Sequence, residues 1–248
     1  MAHVVTSASG RKGRVLAPAF ASLGLSGCAG KLSILDPAGP AAQSTALLWW
    51  VMFAGALAIM ALVLGLVGFA FLKPGWGRDI PPRRWLVWGG LAFPGVVLSA
   101  LLVFALATGE RLLAHPGRPG LVRVEALPHQ WAWEFRYPGQ SGSTSGVLHL
   151  PAGQPVDVAV IGTDVIHAFW VPRLAGKIDA IPGHVNVIRL QADRPGTYGG
   201  VCAEFCGVGH AEMSFSVLAH PPESYGAALA AALSLATTAQ PEPQETQP

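Results

Sequence analysis

Two long stretches of the chain contain no charged residue, and they constrain the fold more than any other feature. They cover 44–72, with 29 residues, and 85–109, with 25 residues. A helix needs about 20 apolar residues to cross the roughly 30 Å hydrocarbon core of a bilayer. A soluble core helix of this length would carry a polar stripe on its exposed face. We therefore predict two transmembrane helices, the second kinked rather than broken by Pro94.

The short segment between the two stretches, 73–84, predicts which side of the membrane each end occupies. It holds four basic residues and one acidic residue: Lys73, Arg78, Arg83 and Arg84 against Asp79. Short loops rich in Lys and Arg stay in the cytoplasm. We therefore expect both termini on the opposite side. The net charge of only +2 gives no reason to expect a nucleic-acid partner.

The first 27 residues have the pattern of a secretory signal peptide, with the charged "RKGR" followed by the apolar "VLAPAFASLGLSG". The pattern ends in "LSGC", which resembles a bacterial lipobox. We expect cleavage before Cys28 and lipidation of that cysteine, and a chance cysteine after an uncleaved apolar stretch is the alternative. Residues 28–43 would be a short exported segment. The protein is then expected in the bacterial inner (cell) membrane, with its N-terminus and C-terminal domain on the periplasmic side.

Glycine and proline separate short apolar runs throughout residues 110–222. Runs such as "LVRVEAL", "PVDVAVIG" and "HVNVIRLQA" alternate polar and apolar residues, as half-buried strands do. Turn signals such as "YPGQSGSTSG" and "ADRPGTYGG" lie between them. This pattern predicts an all-β sandwich or barrel. Residues 223–248 predict a short Ala-rich helix followed by a polar, Pro-rich and disordered tail.

The stretch "YGGVCAEFCGVGHAEM" places four potential metal ligands close together: Cys202, Cys206, His210 and Met213. A disulfide between the two cysteines is one interpretation, and a structural zinc held by cysteine and histidine is another. Met213 favours copper, because a thioether is a weak copper ligand beside His and Cys in cupredoxin electron-transfer sites. Two cysteines that each bridge would allow two copper ions to share an electron.

A site with two metal ions needs a second imidazole from elsewhere in the chain. His167, in "GTDVIHAFWVP", follows a predicted strand and has large apolar neighbours. Such neighbours would keep the surroundings of a metal dry, which tunes its redox potential. His149 and His184 are the other candidates, and the residues alone favour His167 only slightly.

Three segments together resemble subunit II of the haem–copper cytochrome c oxidases: "HQWAWEF", "GTDVIHAFWVPRLAGKIDAIPG" and "RPGTYGGVCAEFCGVGHAEM". The resemblance covers roughly 44–219 and implies a two-helix transmembrane hairpin followed by an all-β, cupredoxin-like sandwich domain. It also implies a CuA centre, in which Cys202 and Cys206 bridge two copper ions. The other copper ligands that it implies are His167, the backbone carbonyl of Glu204, His210 and Met213.

The resemblance implies further roles outside the copper ligands. The carboxylate of Glu204 would reach a magnesium ion at the contact with subunit I, and a solvated loop carboxylate is the alternative. Trp131 would take up the electron, whereas Trp133 is expected in the core. Asp179 would lie at the subunit I interface, or serve only as a turn residue.

The implied function is electron relay in a respiratory oxidase. Cytochrome c would dock near Trp131, and its electron would pass through the copper pair to haem in subunit I, where oxygen is reduced to water. Subunit III and membrane lipid are further expected partners. No C-x2-C-H haem-attachment motif occurs, so the donor should be a separate protein. Quinol-oxidase relatives have lost the copper ligands that this chain keeps, which argues against quinol. The alternative is a membrane-anchored metal-binding or copper-delivery module that holds zinc or one copper.

Overall fold

The structure is a computed structural model that describes residues 29–110 and 121–239. Two long helices come first, α1 (Pro40–Leu72) and α2 (Pro82–Glu110). Both are long and apolar enough to cross a membrane by length and composition. Large apolar side chains are exposed along both, as at Phe71 and Trp88. A surface of this kind is stable against lipid or partner helices rather than against water.

Both helices begin before the uncharged stretches that predicted them. The first starts at Pro40 rather than at residue 44, and the second starts at Pro82 rather than at residue 85. Proline is favoured in the first turn of a helix, because its missing N–H would have no intrahelical partner there. The predicted helices included only uncharged residues. They therefore left out Arg83 and Arg84, which belong to α2. The connecting segment is therefore shorter than predicted and covers 73–81.

The second helix continues through Pro94, so the prediction that proline does not break it is confirmed. Residues Trp85–Ala92 form a π-helical segment, and the α-helix resumes over Phe93–Glu110. The backbone N–H of Phe93 donates to the carbonyl of Trp88 within this wider turn. Proline has no backbone N–H, so a regular α-helix would leave a carbonyl in the preceding turn without a partner. A π-helical turn before the proline lets these backbone groups remain paired.

Ten strands in the described residues form two five-stranded sheets, in the orders β3-β2-β1-β5-β8 and β4-β10-β9-β6-β7. Strand β1 pairs parallel with β5, β4 pairs parallel with β10, and the other pairs are antiparallel. The strands are β1 (Val122–His129), β2 (Ala132–Arg136), β3 (Ser143–Ser145), β4 (Val147–Pro151), β5 (Val156–Ile161), β6 (His167–Trp170), β7 (Lys177–Ala180), β8 (Val185–Leu190), β9 (Gly196–Cys202) and β10 (Ser214–His220). The two sheets enclose one apolar core, which confirms the predicted all-β sandwich.

Two segments that were predicted as turns contain strands instead. Strand β3 lies inside "YPGQSGSTSG", and β9 begins inside "ADRPGTYGG". The glycines of β9 serve close packing rather than a turn. A Cβ on Gly200 would overlap the ring of Phe215, and one on Gly199 would lie 2.9 Å from Leu32. Glycine inside a strand often marks such a close approach.

The predicted Ala-rich helix is confirmed as α3 (Pro222–Ala239), and its Leu229 and Leu233 are buried in the core. The helix includes 237–239, which were predicted to belong to the tail. The remaining tail, 240–248, lies outside the described residues, and so does 111–120. The predicted signal peptide and Cys28 also lie outside them.

An N-terminal strap, residues 29–39, ties α1 to the sandwich. The backbone N–H of Ala38 donates to the Arg173 carbonyl at 2.7 Å, and the Ala38 carbonyl accepts from Asp193 N–H at 2.8 Å. The guanidinium of Arg173 also pairs with the Asp36 carboxylate at 2.7 Å. The first transmembrane helix therefore starts directly at the surface of the β domain.

Candidate metal centre

One end of the second sheet brings the predicted ligands together. Strand β6 begins at His167 and β9 ends at Cys202, and these two strands are antiparallel neighbours. Met213 directly precedes β10, and its carbonyl accepts from the backbone N–H of Cys202 at 2.9 Å. The loop between β9 and β10 carries the other predicted ligands, Cys206 and His210. Three chain segments thus place their donor groups at one point.

The donor atoms lie within reach of shared metal ions. The sulfurs of Cys202 and Cys206 are 3.8 Å apart. Two donors surround the Cys202 sulfur: His167 Nδ1 at 3.9 Å and the Glu204 carbonyl oxygen at 3.2 Å. Two others surround the Cys206 sulfur, namely His210 Nδ1 at 3.6 Å and Met213 Sδ at 3.7 Å.

The two thiols are free, because their sulfurs are far beyond the roughly 2.05 Å of a disulfide bond. Burial and the neighbouring thiol of Cys202 raise the pKa of Cys206 to about 11. The metal-free thiol is therefore protonated at neutral pH. Because thiolate is the form that binds a metal, any metal that binds here would release protons.

Asp164 holds His167 in place. Its Oδ1 lies 2.9 Å from His167 Nε2, on the far side of the imidazole from the thiols. A proton on Nε2 leaves Nδ1, the atom that faces Cys202, free to bind a metal. Burial raises the pKa of Asp164, but hydrogen bonds from His167 and from the backbone N–H groups of Val165 and Gln130 outweigh it and lower that pKa.

Trp131 lies against the ligand loop. Its indole Nε1 donates to the carbonyl of Cys206 at 3.2 Å, and the side-chain amide of Gln130 donates to the same oxygen at 2.8 Å. The ring packs on the loop backbone, since a Cβ on Gly209 would lie 2.6 Å from the ring. Trp131 remains 42% exposed, whereas Trp133 is fully buried in the core.

A charged cluster lies beside Cys202. Lys177 Nζ is 2.9 Å from Asp179 Oδ1 and 3.8 Å from Glu204 Oε2. The hydrogen bond to Asp179 is the main cause that raises the pKa of Lys177. All three side chains are between 41% and 47% exposed. Because both carboxylates contact Lys177, the predicted magnesium residue and the predicted interface residue are close neighbours.

The two alternative histidines lie away from the thiols. His149 Nδ1 is 2.9 Å from His220 Nε2, so this imidazole already has a partner on β10. His184 is exposed in the turn before β8. His167, Cys202 and Cys206 form the one cluster of metal-binding type, with all donor atoms within 4.8 Å, among residues 29–110 and 121–239.

The supporting roles of Gln130 and Asp164 were not predicted from the sequence. Both carried a signal, because Gln130 directly precedes Trp131 and Asp164 lies three residues before His167. Neither signal shows that the backbone N–H of Gln130 donates to Asp164 Oδ2 at 2.8 Å. That contact joins residues 34 positions apart in the chain.

Comparisons with known proteins show which proteins this chain is similar to. The family model for the periplasmic domain of cytochrome c oxidase subunit II matches residues 143–219. A cytochrome c oxidase subunit 2 from Alkalihalophilus pseudofirmus is 33% identical over 237 residues, which cover 86% of this chain and 66% of that protein. The chain thus spans just under two thirds of that relative. A Streptomyces avermitilis protein named "Probable cytochrome c oxidase subunit 2" is 30% identical, with 79% of this chain and 77% of that protein covered.

Other matches come from a second type of oxidase and from a solved structure. A quinol oxidase subunit 2 from Bacillus cereus is 29% identical, with 85% of this chain and 76% of that protein covered. The crystal structure of the periplasmic domain of cytochrome oxidase subunit II from Bradyrhizobium japonicum is 28% identical, covers 46% of this chain and 95% of that chain, and has a TM-score of 0.43. The extent of the sequence similarity decides the assignment: this chain belongs to the cytochrome c oxidase subunit II family.

Proposed function

We propose that this chain is the electron-accepting subunit of a respiratory cytochrome c oxidase in the bacterial inner membrane. In this proposal the chain would hold a pair of copper ions, the CuA centre, which would accept electrons from cytochrome c on the periplasmic side. The electrons would pass to haem in subunit I, where oxygen is reduced to water. The proposal rests above all on one observation, the convergence of two free thiols, two imidazoles, a thioether and a carbonyl oxygen.

The donor set fits copper better than zinc. Soft thioether and thiolate sulfur suit copper, while structural zinc sites are closed by cysteine and histidine alone. Met213 is 1% exposed and directs its sulfur at Cys206, which a zinc site would not require. The separation of 3.8 Å between the thiol sulfurs is less than twice a metal–sulfur bond of about 2.3 Å, so one ion can contact both.

The fold supplies position and burial, and the bound copper supplies the redox chemistry. Strands β6, β9 and β10 fix one ligand each at their ends: His167, Cys202 and Met213. Burial of all three excludes water from this side of the site. Ligands held by rigid strands move little when the charge of the site changes, which favours fast electron transfer.

The retained ligands support cytochrome c rather than quinol as the donor. Similarity alone does not separate the two, because relatives of both oxidase types align over most of this chain. A quinol oxidase has no need of a copper pair at this position, whereas this chain keeps every donor group of one. Trp131 is the proposed point of electron uptake, because it is half-exposed and contacts the carbonyl of Cys206.

The cluster of Lys177, Asp179 and Glu204 is the proposed contact with subunit I. The backbone carbonyl of Glu204 lies beside the Cys202 sulfur, and its 47% exposed carboxylate is available to a magnesium ion or to a partner. Carboxylate oxygen is a common ligand of magnesium. Subunit III is a further proposed partner within the same complex.

The test is to determine copper content and electron paramagnetic resonance spectra of the full chain in detergent. We expect two copper ions per chain and a hyperfine pattern from two equivalent nuclei. The Cys206→Ser variant should lose this pattern, because it removes a bridging thiolate. The Met213→Leu variant should keep it with a shifted reduction potential, because a thioether is a weak ligand.

A single metal ion per chain would contradict the proposal. One copper with the pattern of a single nucleus, or one zinc, would favour the alternative of a membrane-anchored metal-binding or copper-delivery module. Cys28→Ser is the matched control, since it removes a cysteine that the proposal places outside the metal site. It should leave copper content and spectrum unchanged.

A further inference from the structure

A chain of hydrogen bonds joins three loops beside the metal cluster. The loop between β1 and β2 carries Gln130 and Trp131, the loop between β5 and β6 carries Asp164, and the loop between β9 and β10 carries Cys206. Asp164 Oδ2 accepts from the backbone N–H of Gln130 at 2.8 Å, while its Oδ1 lies 2.9 Å from His167 Nε2. Gln130 Nε2 then donates to the Cys206 carbonyl at 2.8 Å.

We infer that Gln130 and Asp164 are positioning residues that hold Trp131 and His167 in a fixed position relative to each other. We call this hydrogen-bonded set of four residues the frame. This inference rests on the proposed function, because it concerns electron transfer from Trp131 to a metal held by His167 and Cys206. Asp164 contacts the proposed ligand His167. Gln130 directly precedes Trp131 in the chain, and its amide donates to the same Cys206 carbonyl as the Trp131 indole. The two residues therefore set the position of the donor relative to the acceptor, on which the transfer rate depends.

Asp164 acts on both parts of the frame. One carboxylate oxygen fixes the imidazole of His167 with Nδ1 directed at Cys202, and the other holds the backbone of Gln130. Hydrogen-bond partners behind a metal-binding histidine orient the ring and raise its basicity, and their loss typically lowers metal affinity about 10- to 100-fold. A carboxylate suits this position, because both of its oxygens accept and neither donates.

Gln130 acts on Trp131. The Cys206 carbonyl accepts from the Gln130 amide at 2.8 Å and from the Trp131 indole at 3.2 Å. If the Gln130 amide is removed, the Cys206 carbonyl keeps one side-chain hydrogen bond among the described residues, the longer one from the Trp131 indole. The indole ring is also 42% exposed, so packing against the ligand loop restrains it only in part. Loss of the Gln130 donor should therefore move the ring.

The variants separate the two roles. Gln130→Met keeps the length of the side chain and removes its donor. Asp164→Asn keeps one oxygen for His167 and turns an N–H2 group toward the N–H of Gln130, so two donors face each other. Asp164→Ala removes both links. Glu134→Gln is the matched control, because this carboxylate pairs with Arg136 rather than with a ligand loop.

Two measurements on the full chain in detergent decide the outcome. The first is the NMR signal of the Trp131 indole N–H in the metal-free protein, which the Trp131→Phe variant identifies. This signal should shift in Gln130→Met and in Asp164→Asn, and it should be unchanged in Glu134→Gln. With copper bound, the same two variants should slow electron uptake from reduced cytochrome c by about tenfold or more, since small misplacements cost large factors in rate. Their copper affinity should equal that of the parent.

Asp164→Ala should also lose copper affinity, by about 10- to 100-fold in competition with a chelator. An unmoved indole signal and an unchanged uptake rate in both Gln130→Met and Asp164→Asn would overturn the inference. Parental copper affinity in a folded Asp164→Ala would overturn the role of Asp164. A parent chain that holds no copper pair would instead contradict the proposed function, and the metal-free indole signal still reports on the frame.

Discussion

Each of the three loops beside the metal cluster carries an exposed apolar side chain, which leads to a prediction about how the proposed donor docks. Val208 is 95% exposed, Ile166 is 47% exposed and Trp131 is 42% exposed. Asp164 lies two residues before Ile166, and its carboxylate is bound to His167 and to the backbone of Gln130. Residues 110–219 hold nine acidic and eight basic residues, so the domain as a whole is almost neutral. Steering by opposite charges should therefore contribute little to association.

Val208 is the side chain whose replacement tests this most directly. Burial of a methyl or methylene group contributes about 0.8 kcal/mol. Val208 is almost fully exposed, so docking can bury both of its methyl groups. Val208→Ser should then weaken the complex by about 1.5 kcal/mol, which is roughly tenfold in the dissociation constant.

Two charged replacements at the same position separate apolar docking from electrostatic docking. Unit charges 4 Å apart in water interact by about 1 kcal/mol. Salt screens this interaction over about 8 Å at physiological ionic strength. Under apolar docking, both Val208→Glu and Val208→Lys should slow electron uptake by about tenfold or more, because either charge must lose its hydration in the interface. Both effects should persist as salt rises.

The assay is the second-order rate of electron uptake from reduced cytochrome c by stopped flow, from about 10 mM to several hundred millimolar salt, a range over which steered association falls steeply. Leu235→Ser is the control, since this side chain is 70% exposed on α3, which follows the opposite end of β10. It should leave the rate unchanged. Opposite effects of the Glu and Lys replacements at low salt would refute the reasoning. A parental rate that falls by two decades with salt would refute it too.

Three further predictions concern stability and processing. Gly200→Ala should lower the free energy of unfolding by about 1–3 kcal/mol, measured with denaturant, because the new Cβ would overlap the ring of Phe215. Burial and the nearby His220 lower the pKa of His149, so its contribution to stability is present above the ordinary pKa of 6.5 and is lost as pH falls below it. His149→Gln should flatten that acid-side loss in thermal melts at different pH. Mass spectrometry of the mature protein should find a lipidated Cys28 as the first residue, and an intact N-terminus would contradict the lipobox.

The pattern of apolar and polar residues predicted the elements whose burial repeats regularly along the chain. The long uncharged stretches became helices, and alternating runs such as 156–161 became strands. Strand β9 escaped prediction because its glycines are selected by contacts with Phe215 and with Leu32 of the strap. Those contacts join residues far apart in sequence, and no local pattern records them.

The same distinction holds at the metal site. Cys202, Cys206, His210 and Met213 lie within 12 residues of one another, so their residue types and spacing predicted a shared metal, with a disulfide as the alternative. The choice of His167 over His149 needed the pairing of β6 with β9, or a resemblance that already contains that pairing. Asp164 acts through a carboxylate, while Gln130 acts through its backbone N–H and through a side-chain amide whose partner, the Cys206 carbonyl, lies 76 positions away in the chain. No local pattern in the sequence records these contacts.

The two cysteines of the site have different neighbours, and under the proposed function this would give the electron path a direction. Cys206 lies beside Trp131, whereas Cys202 lies beside Glu204, whose carboxylate is near Lys177. Lys177 also lines an apolar cavity of about 250 Å³ together with Trp49 of α1. Cys202 is thus linked to the first transmembrane helix through Glu204 and Lys177, whereas the indole of Trp131 contacts the carbonyl of Cys206. An electron taken up at Trp131 would reach the Cys206 side first and leave from the Cys202 side, toward the proposed position of subunit I.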